Sequence, residues 1–265
     1  MQTLRLIVRV LGLFLWTVTL FGIRMCFWPM RKQDEAADRR RRRYWFALWG
    51  RGFAWIYGIR TVVQGAPPEP PFYVVCNHLS YLDVLMMVCQ TGCGFVARGD
   101  LEHWPVIGYM CSHLDVLFID RKSKRDTVRV NELIAHTIAM GDGICVFPES
   151  RIFCGHDVEE FKSSLIEPAM QLKLPIYYAT VSYETPKGAP LASSIISWWR
   201  PEPFFFHVAR QLKNKGCTAT ITFGEEPVTG TDRKAVAREL REHVRANFRP
   251  LAYAAEYDPA TGGTH

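Results

Sequence analysis

The sequence predicts an α/β protein: a mostly parallel β-sheet flanked by helices and preceded by an N-terminal, membrane-associated two-helix hairpin. Three observations predict it. Beyond residue 65, short apolar runs alternate with segments of helical periodicity, the pattern of a parallel sheet with crossover helices. A stiff Pro-rich stretch at 66–71 separates this part from what precedes it. The first 60 residues instead hold two apolar, aromatic segments around a run of arginines.

The first apolar segment, Leu6 to Trp28, is interrupted by Arg9 and Arg24. The uninterrupted run between these arginines has 14 residues, whereas a spanning helix needs about 20. With both arginines snorkelling outward, the full segment is just long enough to cross a bilayer. A signal peptide or a buried core helix is the alternative, although no small-residue cleavage site follows the run. The sequence leaves open whether this segment spans the membrane or lies in one leaflet.

Basic charge is concentrated near the N-terminus. Residues 1–64 hold 12 Lys/Arg and 3 Asp/Glu, a net charge of +9, while the remaining residues carry −3. A uniformly basic nucleic-acid binder would not show this split. The run Arg39–Arg43 precedes an aromatic segment at 44–59, and both features favour an anionic lipid surface. The positive-inside rule places the arginines, and the chain that follows, on the cytoplasmic face.

These features divide the chain into a helical hairpin with a basic turn at 1–64, an α/β domain at 65–254 and a flexible tail at 255–265. The predicted strands are Phe72–Cys76, Gly94–Arg98, Val116–Asp120, Ile144–Phe147, Ile176–Tyr183 and Thr218–Phe223. The predicted helices are Asp83–Gln90, the region around Pro105–Cys111, Lys124–Met140, Ser163–Leu172, Phe204–Lys213 and Asp232–Phe248. Thr231 is the expected N-cap of the last helix.

The eight cysteines have neither CxxC nor zinc-finger spacing. Several lie in apolar runs, where cysteine packs as a small hydrophobe, so we expect reduced core residues in a cytosol-facing domain. No metal site is predicted. The sequence also lacks the GxSxG, P-loop and HExxH motifs.

A histidine and an aspartate five residues apart follow the first predicted strand. His78 comes directly after Phe72–Cys76, and Asp83 begins the next helix; the carboxyl ends of parallel strands are where α/β proteins place their sites. Five residues turn an ideal helix by roughly 500°, so the two side chains would not share a helix face. His78 must therefore lie in the turn before the helix. An isolated HxxxxD pair is a weak signal, and a purely structural role is its alternative.

Further blocks follow in a fixed order. They are GFVARGDL at 94–101, WPVIG at 104–108, LFIDR at 117–121, VFPESR at 146–151 and LPI at 174–176. Together with NHLSYLD at 77–83, they resemble the glycerolipid acyltransferases, the family of 1-acylglycerol-3-phosphate acyltransferases and other lysophospholipid acyltransferases. The resemblance covers roughly residues 70–185 and is far more specific than any one block.

The resemblance implies roles for individual residues. His78 is the general base that takes the proton of the acceptor hydroxyl, and Asp83 is its partner. Arg121 and Glu149 belong to the lysolipid headgroup pocket, and Arg98 faces phosphate. Surface ion pairing is the alternative for both arginines. Backbone N–H groups near the start of the helix are the expected donors to the tetrahedral oxyanion.

It also implies a reaction. The acyl chain moves from acyl-CoA or acyl carrier protein to the free hydroxyl of a lysophospholipid, most directly 1-acylglycerol-3-phosphate, giving phosphatidic acid. No cofactor is needed. The expected partners are therefore the lysophospholipid acceptor, the acyl donor and the membrane.

The block at 147–151 departs from the family's FPEGTR. Ser150 replaces a glycine, a residue usually kept where the backbone needs positive φ, and Arg151 lies one position before the family's arginine. Both remain substrate-binding candidates, but they keep two alternatives open. One is a different acceptor, such as a lyso-ornithine lipid or another lysophospholipid; the other is a catalytically weak, membrane-anchored lipid-binding protein. The Phe204–Phe206 cluster is predicted to pack in the core or, alternatively, to line an acyl groove or touch the membrane.

Overall fold

A computed structural model describes residues 1–26, 35–104, 108, 116–119 and 124–251. Its centre is a seven-stranded sheet in the order β1-β7-β6-β2-β5-β3-β4. Neighbouring strands run parallel except β6 and β7, which are antiparallel. Helices flank this sheet, so the predicted α/β architecture with a mostly parallel sheet is confirmed. The strands are β1 Ile59–Gln64, β2 Tyr73–Cys76, β3 Gly94–Arg98, β4 Val116–Ile119, β5 Ile144–Val146, β6 Ile176–Glu184 and β7 Cys217–Phe223.

The helices of the described residues follow the alternation seen in the sequence. They are α1 Gln2–Cys26, α2 Glu35–Tyr57, α3 Tyr81–Thr91, α4 Lys124–Ala139, α5 Glu167–Gln171, α6 Ala192–Ile195, α7 Phe204–Lys213 and α8 Arg233–Ala246. Short 3₁₀ turns occupy Gly99–His103 and Ser163–Leu165. The segment predicted as one helix from Ser163 to Leu172 is thus a 3₁₀ turn and a short α-helix, with Pro168 in the first turn of α5, where its missing N–H costs nothing.

Strand β2 lies in the middle of the sheet and is buried along its whole length. Its alternate side chains enter two different cores. Val74 and Cys76 pack in the cluster that contains α3, whereas Tyr73 and Val75 pack in the cluster that contains α4 and α8. The residues that follow β2 therefore emerge between two packed layers, where little freedom of movement remains.

Most predicted elements shift by one or two residues at an end, and the assignments of the hairpin boundary and of one helix cap were wrong. Residues 59–64, which the sequence grouped with the hairpin, form β1 and pair with β7 from Ile59↔Cys217 to Gln64↔Thr222. The N-cap of α8 is Asp232 rather than Thr231, because the Asp232 carboxylate accepts the backbone N–H groups of Lys234 and Ala235. Of the helix expected around Pro105–Cys111 only Gly108 is described, and the tail at 255–265 lies outside the described residues.

The N-terminal segment forms two packed helices. Trp16 of α1 donates to the Trp49 carbonyl at 3.1 Å, and the Trp49 indole donates to Thr17 Oγ1 at 3.0 Å. The arginine run lies inside α2, where the sequence had suggested a turn, and Arg43 pairs with Asp142 at 2.6 Å. Within the described part of the chain, α1 is the one helix long and apolar enough to cross a membrane.

Helix α1 is also fixed to the α/β domain through two arginines. Arg5 donates to the carbonyl of Lys213 at 2.8 Å, and the buried Arg9 donates to the carbonyls of Leu212 at 3.0 Å and Asn214 at 2.5 Å. These carbonyls belong to the last turn of α7 or follow it, where helical partners are missing and positive charge is favourable.

Candidate active site

The turn that carries His78 begins with Asn77, whose side chain extends the pairing of β2 with β6. Its Oδ1 accepts the N–H of Val181 at 2.8 Å, and its Nδ2 donates to the Val181 carbonyl at 2.9 Å. The side-chain amide thereby satisfies two backbone groups that β2 no longer reaches. Since Asn77 is buried, these bonds fix the direction in which the chain leaves the sheet.

The structure brings His78 and Asp83 together as the spacing required. His78 lies in the turn, and its Nδ1 contacts Asp83 Oδ2 at 2.9 Å. Because an ionised carboxylate only accepts, Nδ1 carries the proton and Nε2 keeps a free lone pair. The His78 side chain is 18% exposed, whereas that of Asp83 is 0% exposed. A ligand can therefore reach the imidazole of His78, whereas the carboxylate of Asp83 is shielded from it.

Asp83 also organises the turn around itself. Its Oδ2 accepts the backbone N–H of Leu79 at 2.6 Å and of Ser80 at 2.8 Å. Asp83 is the third residue of α3 and Ser80 is its N-cap, so the bond to the Ser80 N–H is the half of a capping box that the acidic residue supplies. One carboxylate thus caps the helix and orients the imidazole.

The imidazole is held from its flat side as well. The His78 ring stacks on Phe147, with centroids 4.2 Å apart and an interplanar angle of 19°. Phe147 follows β5, the parallel neighbour of β2, so the contact joins the carboxyl ends of two central strands. Hydrogen bond and stacking together leave the ring little freedom to rotate.

Glu149 lies against the same turn. It is buried, and its Oε1 accepts the backbone N–H of His78 at 3.0 Å. Burial raises the pKa of Glu149 well above its ordinary value, although the His78 N–H opposes this shift. The contact that the structure provides is therefore with the turn that carries His78, while the headgroup role suggested by the resemblance stays a prediction.

Ser150 adopts the backbone conformation that the family's glycine predicts. Its φ is +66°, in the left-handed region that costs a residue with a Cβ about 1–2 kcal/mol. Arg151 is exposed and its guanidinium lies 5.2 Å from the Phe153 ring centroid. Gly155, also at positive φ, is close to Leu251 and Leu79, so a Cβ there would be crowded.

The two remaining candidates are described less fully. Arg98 ends β3, next to Ile119 at the end of β4, which places its backbone at the same carboxyl edge of the sheet as the His78 turn. Arg121 lies outside the described residues. The phosphate and headgroup roles of Arg98 and Arg121 therefore stay predictions.

The phenylalanines at the start of α7 separate into two environments. Phe204 packs against Tyr81, Trp104 and Trp198, with ring centroids 5.0–5.9 Å apart. Phe205 and Phe206 are 70% and 73% exposed. Packing, as predicted, thus applies to Phe204 only.

Three backbone N–H groups of the turn before the helix are already engaged within the protein. The N–H of His78 bonds to Glu149, and those of Leu79 and Ser80 bond to Asp83. These three groups stabilise the resting turn, and the role of backbone N–H groups near the helix start in binding the oxyanion stays a prediction.

Sequence reasoning missed Phe147, which stacks on His78, and it missed a residue that contacts Asp83 from a distant strand. The hydroxyl of Tyr183 donates to Asp83 Oδ1 at 2.7 Å from near the end of β6. The two residues are 100 positions apart, and a lone tyrosine in a strand carries no signal that it faces a particular carboxylate. Only the pairing of β6 beside β2 brings them together.

An imidazole paired with a buried carboxylate at the carboxyl edge of an α/β sheet is suited to moving a proton during group transfer, and comparison with known proteins specifies the family. The acyltransferase family model matches residues 59–182. The chain is 30% identical to a 1-acyl-sn-glycerol-3-phosphate acyltransferase of Neisseria meningitidis over 207 residues, 74% of this chain and 78% of that protein. It therefore belongs to the acyltransferase family and is an O-acyltransferase.

Other relatives extend the comparison in two directions. The human 1-acyl-sn-glycerol-3-phosphate acyltransferase alpha is 36% identical over 206 residues, 75% of this chain and 67% of that protein. A lyso-ornithine lipid O-acyltransferase of Pseudomonas aeruginosa is 26% identical over 255 residues, 92% and 94% of the two chains. The crystal structure of a 1-acyl-sn-glycerophosphate acyltransferase from Thermotoga maritima has the same fold, with a TM-score of 0.67 at 19% identity over 93% of this chain and 97% of that one.

Proposed function

We propose that this enzyme transfers a fatty acyl chain from a thioester, acyl-CoA or acyl carrier protein, to the free hydroxyl of a lysophospholipid at a membrane surface. The observation that carries the proposal is the 2.9 Å contact between His78 Nδ1 and the fully buried Asp83. It leaves Nε2 as the basic nitrogen on a partly exposed ring. An alcohol placed there loses its proton as its oxygen attacks the thioester carbonyl.

The proposed steps balance without a further reagent. The hydroxyl oxygen forms a bond to the thioester carbon while Nε2 takes the proton, and Asp83 stabilises the imidazolium that results. The tetrahedral intermediate then collapses, the carbon–sulfur bond breaks, and the departing thiolate takes the proton from Nε2. The products are the ester and a free thiol, and His78 returns to its starting state.

The preferred acceptor is 1-acylglycerol-3-phosphate, which would give phosphatidic acid. Two relatives with at least 30% identity carry this activity in their names, and arginines at 98 and 121 suit a phosphate. A lyso-ornithine lipid is the second candidate. It is supported by the relative that matches nearly the whole chain and by the change of the family glycine to Ser150.

The proposed location is the cytoplasmic face of a membrane. One side of α1 exposes apolar side chains to solvent, namely Leu4, Ile7, Val8, Leu11, Phe14, Leu15, Val18 and Phe21, and Trp55 of α2 is 82% exposed. A contiguous apolar surface of this kind marks an interaction site. The fixation of Arg5 and Arg9 to α7 supports a helix that lies on the lipid beside the α/β domain.

The decisive experiment is a thiol-release assay on the purified full chain in detergent with a panel of lysolipids. His78→Ala is expected to lower kcat by about 10²–10⁴-fold, the range for loss of a general base, with an unchanged thermal midpoint. Near-normal turnover by this variant would remove His78 from the mechanism. A wild-type protein that binds lysolipids but releases no thiol with any of them would instead favour the lipid-binding alternative.

The acceptor is tested by the same panel with Arg121→Ala. If the headgroup is a phosphate, this variant raises KM for 1-acylglycerol-3-phosphate and leaves KM for a lyso-ornithine lipid unchanged. An unchanged KM for the phosphate-bearing acceptor would place the headgroup elsewhere. Ester mass spectrometry of the products identifies which acceptor was acylated.

A further inference from the structure

We infer that Tyr183 is a positioning residue of the catalytic pair, holding Asp83 in the orientation that keeps His78 basic at Nε2. The inference rests on the proposed function, because it concerns the same site. It adds a third member, at the far end of β6, to a pair that the sequence confined to one turn.

The donors on the Asp83 carboxylate are unevenly distributed between its two oxygens. Oδ2 receives three contacts, from the His78 ring and from two backbone N–H groups at 2.6 and 2.8 Å. For Oδ1, the structure of the described residues provides one donor, the Tyr183 hydroxyl at 2.7 Å. A buried carboxylate oxygen without a donor is costly, so Tyr183 completes what the turn cannot supply.

Tyr183 is itself held in place by the sheet. It is 2% exposed and lies within β6, where it pairs with Ala219 of β7. Two residues earlier, Val181 is bonded twice to the side chain of Asn77, which directly precedes His78. Side chains two apart in a strand point to the same face, and Val181 and Tyr183 share one core with α3. Strand β6 therefore holds both the entrance of the turn and the carboxylate at its end.

The hydroxyl of Tyr183 is protonated and acts as a hydrogen-bond donor. Burial, together with the nearby Asp83, raises the pKa of Tyr183 well above its ordinary value. The hydroxyl thus keeps its proton over the range of any assay and acts only as a donor. The hydroxyl of Tyr183 thus holds Oδ1 of the carboxylate whose Oδ2 contacts Nδ1 of His78.

The test is Tyr183→Phe, which keeps the ring and removes only the hydroxyl. We expect kcat to fall roughly 10- to 100-fold, the factor for losing one hydrogen bond to a charged group, with little change in KM. The acid limb of the kcat/KM profile should move to higher pH. Without the hydroxyl of Tyr183, the negative charge of Asp83 is less well stabilised. The His78–Asp83 pair then holds its additional proton more tightly, whether that proton lies on the imidazole or on the carboxylate.

The other ionisable groups facing this site are not expected to produce such a shift. They belong to β2, β5, β7 and the loop after β5, and burial raises the pKa of each: Cys76, Cys145, Cys217 and Glu149. The three thiols stay neutral across the assay range, and Glu149 is present in wild type and variant alike. A moved acid limb therefore reports on His78 and Asp83.

Tyr73→Phe is the matched control. Tyr73 is equally buried, and its hydroxyl donates at 2.5 Å to the backbone carbonyl of Leu165 on the opposite face of the sheet. This variant loses a buried tyrosine hydrogen bond without touching the pair, so its kcat and pH profile should match wild type. An equal loss of activity in both variants would assign the Tyr183 effect to general core stability and overturn the inference.

A double-mutant cycle with Asp83→Asn separates the remaining outcomes. If Tyr183 acts through Asp83, the double variant is no slower than Asp83→Asn alone. Two outcomes would overturn the inference. In one, kcat of the double variant falls by the product of the two single-variant factors. In the other, Tyr183→Phe keeps the kcat and pH profile of wild type. The proposed function fails separately, by activity in His78→Ala. If His78→Ala is inactive and Tyr183→Phe is fully active, the proposed function is retained and only the role of Tyr183 is rejected.

Discussion

Glu149 links the stability of the turn that carries His78 to pH. Its folded pKa is raised by burial above the ordinary value of 4.5, so folding favours the protonated carboxyl. The stabilisation that this proton provides is complete below pH 4.5 and is lost as the pH rises through the folded pKa. Each pH unit within that window costs up to about 1.4 kcal/mol.

Glu149→Gln is expected to flatten this dependence. The amide oxygen still accepts the His78 N–H, but the side chain no longer ionises. Chemical unfolding between pH 4 and 8 should show a smaller loss of unfolding free energy in the variant than in wild type. Glu160→Gln, at an exposed position of the same loop, should follow the wild-type curve, and a Glu149→Gln curve parallel to wild type would contradict the assignment.

Ser150 offers a second prediction at the scale of a residue. Its φ of +66° strains any side chain with a Cβ, so Ser150→Gly should raise the free energy of unfolding by about 1 kcal/mol. Ser150→Ala keeps the strain and removes the hydroxyl, and no such gain is expected from it. Thermal unfolding of the two variants makes the comparison. A gain in the alanine variant would point to the hydroxyl rather than the backbone.

Among the elements, local pattern predicted most of the sheet and less of its edges. Phe204–Lys213 and Gly94–Arg98 have the predicted bounds, because periodicity and length suffice for such segments. Strand β1 was missed since it follows α2 without a break in apolar character, and its identity depends on pairing with β7, more than 150 residues away. The same limit applies to the site: His78 and Asp83 share a turn, whereas Tyr183 reaches them only through the sheet.

Helix α8 is stabilised at its start by the N-cap residue Asp232. Asp232 accepts the N–H groups of Lys234 and Ala235 at 2.8 and 3.3 Å, and these bonds lower the pKa of Asp232 below its ordinary 3.8. The cap is therefore effective above pH 3.8 and is lost as the pH falls through the folded pKa. Asp232→Ala should lower the thermal midpoint at pH 7.

Thr231→Ala is the control for this cap. Thr231 precedes Asp232 and was the N-cap expected from sequence, so equal losses in the two variants would contradict the observed geometry. At pH 3 the difference between Asp232→Ala and wild type should be smaller than at pH 7. Circular dichroism during heating follows both comparisons.

For the whole molecule, the exposed apolar face of α1 predicts how the enzyme meets lipid. Replacing Leu11 and Phe14, which are 55% and 64% exposed, by aspartate should weaken binding to anionic vesicles by more than about 10-fold, since a charge in the apolar region costs up to about 3 kcal/mol. Thiol release with a soluble, short-chain acceptor should remain. Leu191→Asp, an exposed position of the α/β domain, is the matched control in vesicle co-sedimentation, and equal binding by all three proteins would remove α1 from the contact.

The arginine contacts between α1 and α7 give the first helix a second role. Removing it would strip the final carbonyls of α7 of their cationic partners, and α7 also presents Phe204 and His207 to Tyr81, the first residue of the helix that contains Asp83. A shortened chain that starts after residue 26 should therefore differ from the full chain in activity as well as in its affinity for lipid. Its activity should stay below that of the full chain even when the substrate is supplied free in solution, because α1 also stabilises the end of α7.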